Sequence, residues 1–362
     1  MAYGSVNVDK MTTSDGISSA GVYGFKNRLI NGSMTISQRN GTTATANGSN
    51  AYCLDRWAAY GNGVSKYTTT QSTTAPAGFS NSLLVTSSAA TSLASGDYYF
   101  LSQRIEGYNI ADLGFGASGA LTVTLSFWVR SSLTGTFGGS LQNGAENRSY
   151  PFTYTISSAN TWEQKSISIA GDTTGTWATG NTSGLEVNFG LGVGSTLGGG
   201  TAGAWVGSDY RSATGAVSVV GTSGATFYLT GVMLEKGSTA TSFDYRPYGT
   251  ELQLCQRYFE STAFPDATFG ITSCRGSAVI GGGGAACGFN FLVPKRTNAP
   301  TVTLYSRNGN AGKVSNNATG GDLSGTSSAS SIGGTGFLTI SMGASLSVGA
   351  CIEAGWQASA EL

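Results

Sequence analysis

The sequence contains no histidine. That removes Ser-His-Asp and Cys-His catalytic arrangements and every metal site that needs an imidazole ligand. Charge is scarce as well: Asp, Glu, Lys and Arg make up 10% of the residues, against an average of about 25%. The 19 basic and 19 acidic residues cancel, and neither sign gathers into a stripe or run. Neither nucleic acid nor an anionic membrane is therefore implied as a partner. No run of about 18 apolar residues occurs, so no membrane insertion is expected. Residues 1–16 hold no apolar stretch of the secretory kind. The five cysteines (Cys53, Cys255, Cys274, Cys287 and Cys351) are odd in number, scattered and never at C-x-x-C spacing. They read as small buried hydrophobes, reduced in the cytosol where the chain is made.

What the chain does have is glycine, 55 residues of it, with Ser, Thr and Asn filling the place of charge. Such a composition often marks disorder. Here sixteen Tyr, sixteen Phe and six Trp supply ample apolar surface for cores, since each buried aromatic removes about 150–250 Å² from water. Thr, Val, Tyr and Phe favour pleated surfaces and glycine serves turns, so an all-β chain is expected. Strand candidates recur at Leu54–Tyr60, Ser82–Thr86, Asp97–Ile105, Leu121–Arg130, Phe152–Thr155, Trp162–Ile169, Leu185–Leu191 and Phe227–Leu234. Asn27–Ile36 also alternates at roughly strand spacing, with Asn31-Gly32 as a kink. Many short strands with no long helical pattern between them indicate a sandwich or jelly roll. In Leu121–Val129 the odd positions are apolar and Trp128 faces the other way, as period two requires.

One helix stands out. Thr250 and Gln253 fit a capping box, and Leu252, Cys255, Tyr258 and Phe259 recur at helical spacing over residues 250–261. Beyond it short strands resume at Thr268–Ser273, Ala285–Val293, Thr301–Tyr305, Gly336–Ile340 and Gly349–Ala360. The expected organisation is an N-terminal arm over 1–24, a jelly roll over 25–248, a linker helix over 249–262 and a smaller β-domain over 263–362.

With histidine absent, the remaining hydrolytic chemistry is a pair of carboxylates. Candidates are Glu106, Asp112, Glu146, Glu163, Glu186 and Asp209. Nothing in the sequence makes two of them converge, and solvation on loops or strand faces accounts for each, so no enzymatic activity is expected. Gly190–Gly194 and Gly281–Gly284 lack the following helix that a phosphate loop needs. Aromatics in glycine-rich loops are more informative. Trp205, Asp209, Tyr210 and Arg211, with Trp177, combine a stacking face with hydroxyl-bonding groups, the chemistry that holds a sugar ring. The same residue types also suit core packing or a subunit interface. Arg56 or Arg246 pairing with Glu235 or Asp244 would tie early strands to late ones.

Several motifs together resemble a known group. Asn27–Ser33, Ser37–Gly41, Leu54–Trp57, Gln103–Gly107, Ser126–Val129, Gly231–Gly237, Phe243–Tyr248, Glu251–Phe259 and Trp356–Leu362 are similar to segments of tail-fibre-like and other structural proteins of tailed bacteriophages, including cyanophages. The similarity covers residues 25–262 well and the last hundred loosely. Its sandwich portion resembles carbohydrate-binding modules with an opening Asn-Gly strand, a central Ser-Phe-Trp strand and a closing Val-X-Leu-Glu strand. The resemblance implies a virion component, a fibre or host-recognition protein that binds a surface glycan, or a capsid-decorating or tail protein that binds only other virion proteins. It also implies a homotrimer, for which Leu252, Cys255 and Phe259 are the candidate interface. Such modules often hold a structural calcium, but here Thr230-Gly231 stands where the pattern has an acidic pair, and no cofactor is expected.

Overall fold

A computed structural model of the chain describes residues 25–46, 51–263, 279–280, 284–317, 319–341 and 352–362. The arm over 1–24, the candidate strand Thr268–Ser273, the run Gly281–Gly283, Cys274 and Cys351 lie outside the described residues. Within them the chain is almost wholly antiparallel β. Twelve strands build the first unit: β1 (Thr45–Ala46), β2 (Ala51–Leu54), β3 (Trp57–Gly61), β4 (Tyr67–Ser72), β5 (Ser82–Ser87), β6 (Tyr98–Glu106), β7 (Val123–Ser131), β8 (Gly135–Asn143), β9 (Ser149–Ile156), β10 (Glu163–Ile169), β11 (Ser183–Val193) and β12 (Thr226–Lys236). They form two six-stranded sheets, β1-β4-β5-β12-β7-β10 and β2-β3-β6-β11-β8-β9. The chain passes repeatedly from one sheet to the other, as in a jelly roll.

The sheets face each other across one apolar core. Along β7, Val123, Leu125, Phe127 and Val129 are fully buried, which is the inward half of the period-two pattern. From the second sheet Leu101, Val187, Phe189, Leu191, Phe137, Leu141 and Phe152 meet them. Phe189 sits at the centre, its ring 5.0 Å from Phe127 and 6.3 Å from Trp57. Cys53 and Cys255 are buried and unpaired. In two strands the sequence hides the periodicity. β4, Tyr-Thr-Thr-Thr-Gln-Ser, alternates buried and half-buried positions at its start but has only Tyr67 as an apolar marker. In β8, Gly138 and Gly139 erase the alternation because larger side chains do not fit: a Cβ at Gly139 would lie 2.2 Å from the Asn188 carbonyl and 2.5 Å from the Phe152 ring.

Asn27–Ile36 is a buried turn and not the expected strand. Asn31 and Met34 take left-handed backbone angles, with φ of 56° and 59°. The Asn31 side chain donates to the Ile36 and Asp55 carbonyls and accepts from the Ile36 N–H. Asn27 likewise donates to the Val232 carbonyl and accepts from the Leu29 and Leu234 N–H groups. Side-chain amides thus take over the bonds that a ladder would supply.

The longer helix, α2 (Tyr248–Gln256), follows the shorter α1 (Ser195–Gly198) and begins two residues before the expected cap. Its N-cap is Pro247, with no side-chain cap bond, so Thr250 lies inside the first turn. It stops at Gln256 because Phe259–Ser261 leaves as a strand, β13, to pair with β21 (Gly355–Ser359). The expected trimer contact at Leu252, Cys255 and Phe259 is not available. Cys255 and Tyr258 pack on Ile30 and Ile36 of the same chain with Leu252 against them, and Phe259 is 4% exposed beneath the Arg39 guanidinium.

The C-terminal unit holds β14 (Val279–Ile280), β15 (Gly284–Asn290), β16 (Thr301–Tyr305), β17 (Ser315–Asn316), β18 (Ser327–Ser330), β19 (Gly336–Ser341) and β20 (Ile352–Glu353) besides β13 and β21. Its separate core gathers Phe289, Phe291, Leu304, Phe337 and Trp356. It is clasped to the sandwich by buried charge. Arg56, 1% exposed, pairs with Glu361 and lies over the Tyr258 ring. Arg39 joins Glu361 at 2.8 Å, and Arg296 donates to the Asn181 and Glu361 carbonyls. The expected partners of Arg56 and Arg246 are only partly met. Arg246 lies 3.3 Å from Glu251 and 3.7 Å from Asp244, whereas Glu235 accepts from Thr241.

Phe189→Ala is expected to lower unfolding free energy by about 3–5 kcal/mol, the usual cost of emptying an aromatic site in a core. A denaturant titration checks this, and a loss under about 1 kcal/mol would show that the two sheets do not share that core.

Candidate functional site

Outward-facing side chains of the second sheet are unusual in being both polar and buried. Ser102, Ser140, Gln142, Ser149 and Asn188 are at most 1% exposed. The cause is the segment 194–220, which runs across this face. The Ser149 and Val206 backbones bridge each other at 3.0 and 2.9 Å, and the Ser149 hydroxyl donates to the Ser208 carbonyl. Glycine permits the close approach: a Cβ at Gly138 would stand 2.4 Å, and one at Gly190 2.8 Å, from the Ser212 hydroxyl. Beneath the segment several of the polar atoms pair with one another, while the Ser102 hydroxyl and the Asn188 amide oxygen have no hydrogen-bond partner. Asn188 donates to Ser140 and Gln142, and Gln142 donates to Asp209 at 2.6 Å.

The segment covers only part of the face. Beside it a groove of about 290 Å³ remains, lined by Tyr60, Tyr98, Phe100, Arg104, Glu146, Leu197, Asp209 and Arg211. Its aromatic side comes from adjacent strands in register, Tyr60 of β3 lying opposite Phe100 of β6. Their rings stack at 4.9 Å, and Tyr98 leans on Phe100 at 5.9 Å. Tyr60 and Phe100 are buried, while Tyr98 and Tyr52 keep partial exposure along the same ridge.

The opposite side is a closed ring of charge. Arg104 reaches Glu186 at 2.7 Å and Glu146 at 2.9 Å. Arg211 reaches Glu186 at 3.1 Å, Glu146 at 2.7 Å and Asp209 at 2.7 Å. Each glutamate therefore bridges both arginines. Glu186 and Arg104 are paired across β11 and β6, whereas Glu146 comes from the β8–β9 turn with a left-handed φ of 56°. Arg104 also donates to the Leu362 carbonyl. The Glu186 side chain is 1% exposed, against 38% for Glu146 and 35% for Asp209.

Burial lifts the Glu186 carboxyl from an ordinary 4.5 to about 7, against the pull of Arg104 and Arg211 and with help from the Glu146 charge. Between those values the folded chain holds a proton that the unfolded chain has released. The stability linked to this group is thus complete below about pH 4.5 and lost as pH rises through 7. Carboxyl NMR titration is expected to show one glutamate with a midpoint near 7; ordinary midpoints for every glutamate would contradict the burial argument.

Of the residues singled out in the sequence, Asp209 and Arg211 reach the groove. Tyr210, between them, is not among the groove-lining residues and its ring lies against Gly200. The two tryptophans are not groove residues, contrary to their expected role beside Asp209. Trp177 is 8% exposed and meets Trp205 edge-on at 5.3 Å, with Phe115 against both. Their indole N–H groups donate to the Thr174 and Ala170 carbonyls. They plug the sandwich core. Of the other carboxylates, Glu106 pairs with Arg257, Asp112 with Arg28 and Glu163 with Lys165. Thr230, in place of an acid, donates to the Asn81 carbonyl. Among the described residues no three acidic, cysteine or histidine side chains gather as metal ligands. The groove residues missing from the sequence reading leave a trace in β6, where Tyr98, Phe100, Ser102 and Arg104 alternate on one face.

No protein-family model matches the chain. No curated protein matches it either. Among solved structures, similarity is found to the enzymatically active domain of tailspike protein 4 of bacteriophage CBA120. Identity is 13% and the TM-score 0.30, covering 58% of this chain and 21% of that one. An arabinose-bound α-L-arabinofuranosidase matches at 13% identity and a TM-score of 0.34, over 68% and 31% of the two chains. A family 11 carbohydrate-binding module from Clostridium thermocellum, in complex with a mixed-linked tetrasaccharide, matches at 9% identity and a TM-score of 0.28, over 56% and 99%. The matched region thus spans about a fifth of the tailspike chain and a third of the arabinofuranosidase chain.

Proposed function

We propose that this protein binds a saccharide along the open part of the second sheet's outer face. The observation that carries the reading is the opposition, across one groove, of an aromatic ridge and a ring of fixed polar groups. A pyranose presents apolar C–H faces and a belt of hydroxyls. The first suits the Tyr98 ring, and the second suits the exposed carboxylate edges of Glu146 and Asp209. Both sides are held before any ligand arrives, Tyr98 by Phe100 and the carboxylates by two arginines, which keeps the ordering cost of binding low.

Binding without catalysis is part of the same proposal. Glu186 has the raised pKa of a general acid, but it is buried and both its oxygens face guanidinium groups. No substrate atom reaches it in this arrangement. The setting implied by the resemblance over residues 25–262 is the virion of a tailed bacteriophage. There the protein would serve as a fibre or host-recognition component, assembled with other virion proteins. Phe25, Tyr245 and Tyr248, 57, 60 and 55% exposed, leave aromatic surface that suits an assembly contact, and a homotrimer is the expected state. Mass photometry checks that directly: a stable monomer at micromolar concentration would favour a capsid-decorating role.

On a glycan array the wild-type protein is expected to bind, and Tyr98→Ala to weaken that binding tenfold or more, as for a central aromatic contact. Trp205→Ala is expected to lower the melting temperature and leave the folded protein's affinity within about threefold. The reverse pattern would return the site to the tryptophan loops and overturn the groove reading.

A further inference from the structure

The ring of charge has a consequence for which saccharides the groove accepts. Arginine is the usual residue for holding a carboxylate, through its planar fork of N–H donors. Two arginines line this groove, so an acidic sugar would be a natural first guess. Every nitrogen of both guanidinium groups already faces an oxygen. On Arg104, Nε faces Glu186, one terminal nitrogen faces Glu146 and the other donates to the Leu362 carbonyl. On Arg211, Nε faces Asp209 and the two terminal nitrogens face Glu186 and Glu146. Neither guanidinium therefore has a pair of nitrogens left without a facing oxygen.

Charge count points the same way. Two arginines stand against three carboxylates, Glu146, Glu186 and Asp209. With Glu186 ionised the cluster carries one surplus negative charge, and with Glu186 protonated it is neutral; in neither state is it positive. The most exposed charges are moreover the acidic ones. Glu146 is 38% and Asp209 35% exposed, whereas the Arg211 side chain is 7% and Arg104 22% exposed. Lys66, Lys165 and Lys236, the lysines of the sandwich beyond Lys26, are not among the groove-lining residues.

From this geometry, and resting on the reading of the groove as a saccharide site, we infer that its ligands are glycans without acidic groups, and that Glu146 and Asp209 exclude uronates, sialates and phosphorylated sugars. A carboxylate entering beside them meets like charge with no unpaired cation among the lining residues to offset it, the arrangement by which interfaces reject wrong partners. Neutral hydroxyls carry no such penalty and donate to the same oxygens.

The test compares neutral oligosaccharides with their C6-oxidised counterparts, which differ only in carrying a uronate. The wild-type protein is expected to bind the oxidised form at least tenfold more weakly. That gap should shrink with added salt, since screening weakens repulsion between exposed charges. Glu146→Gln with Asp209→Asn should narrow the ratio to under threefold, whatever either affinity becomes. If the double variant fails to fold, Asp209→Asn alone should narrow it in the same direction. Equal or tighter binding of the oxidised form, or a ratio unmoved by salt and by substitution, overturns the exclusion and leaves the groove standing. Binding to no glycan of either kind overturns the groove reading itself, and the exclusion with it.

Discussion

The constraint on which the site depends is that the second sheet is covered on its inner face and over part of its outer one. Its inner face meets an apolar core and needs nothing more than good packing. Its outer face carries Ser102, Ser140, Gln142, Ser149 and Asn188, all buried, and segment 194–220 lies over part of it. A polar group buried without a partner costs about 1–3 kcal/mol, which favours pairing where the geometry allows it, although the Ser102 hydroxyl and the Asn188 amide oxygen are left without a hydrogen-bond partner. The chain from Asn188 through Gln142 to Asp209 is the result. The charges at its end follow the same rule more strictly. Glu186 cannot be buried alone, and Arg104 and Arg211 are the groups that make its position tenable. The groove begins where this network stops.

Much of the architecture was legible because one-sided burial writes itself into a strand at period two. β7 shows it plainly, with Val123, Leu125, Phe127 and Val129 inward and Trp128 outward. The signal fades where backbone comes close to other atoms. Gly138 and Gly139 in β8 are small because Ser212 lies above one and Phe152 against the other, and a strand without side chains has no period to read. It also fails where side chains replace backbone bonding. Asn27 and Asn31 sit at strand-like spacing, yet each amide bonds to several backbone groups and fixes a turn. Local pattern does not tell these outcomes apart, since the partners, Val232 and Asp55, lie far along the chain.

The site was legible in part, and for a related reason. Asp209 and Arg211 stood out because they flank aromatics in a polar loop, and both line the groove. Trp177 and Trp205 stood out for the same reason and serve the core, because an indole suits either environment and only contacts with Phe115 and Tyr150 decide between them. The decisive neighbours, Tyr60, Tyr98, Arg104 and Glu146, come from β3, β6 and the β8–β9 turn. Only strand order brings them beside residue 211. The convergence of Glu146, Glu186 and Asp209 is a property of topology, and no spacing along the sequence announces it.

A chain with so few charges can still present a strongly defined electrostatic surface, provided the charges are concentrated and internally paired. Five ionisable side chains meet at one groove here, within a protein that has 38 Asp, Glu, Lys and Arg in all. Pairing at distances under about 3 Å means that little of this charge projects far into solvent, which limits long-range steering. For the proposed ligand this leaves short-range discrimination, felt only once it would lie against Tyr98. On the proposed saccharide reading, stacking would supply the attraction, and the paired arginines with their exposed carboxylate edges would decide what is turned away.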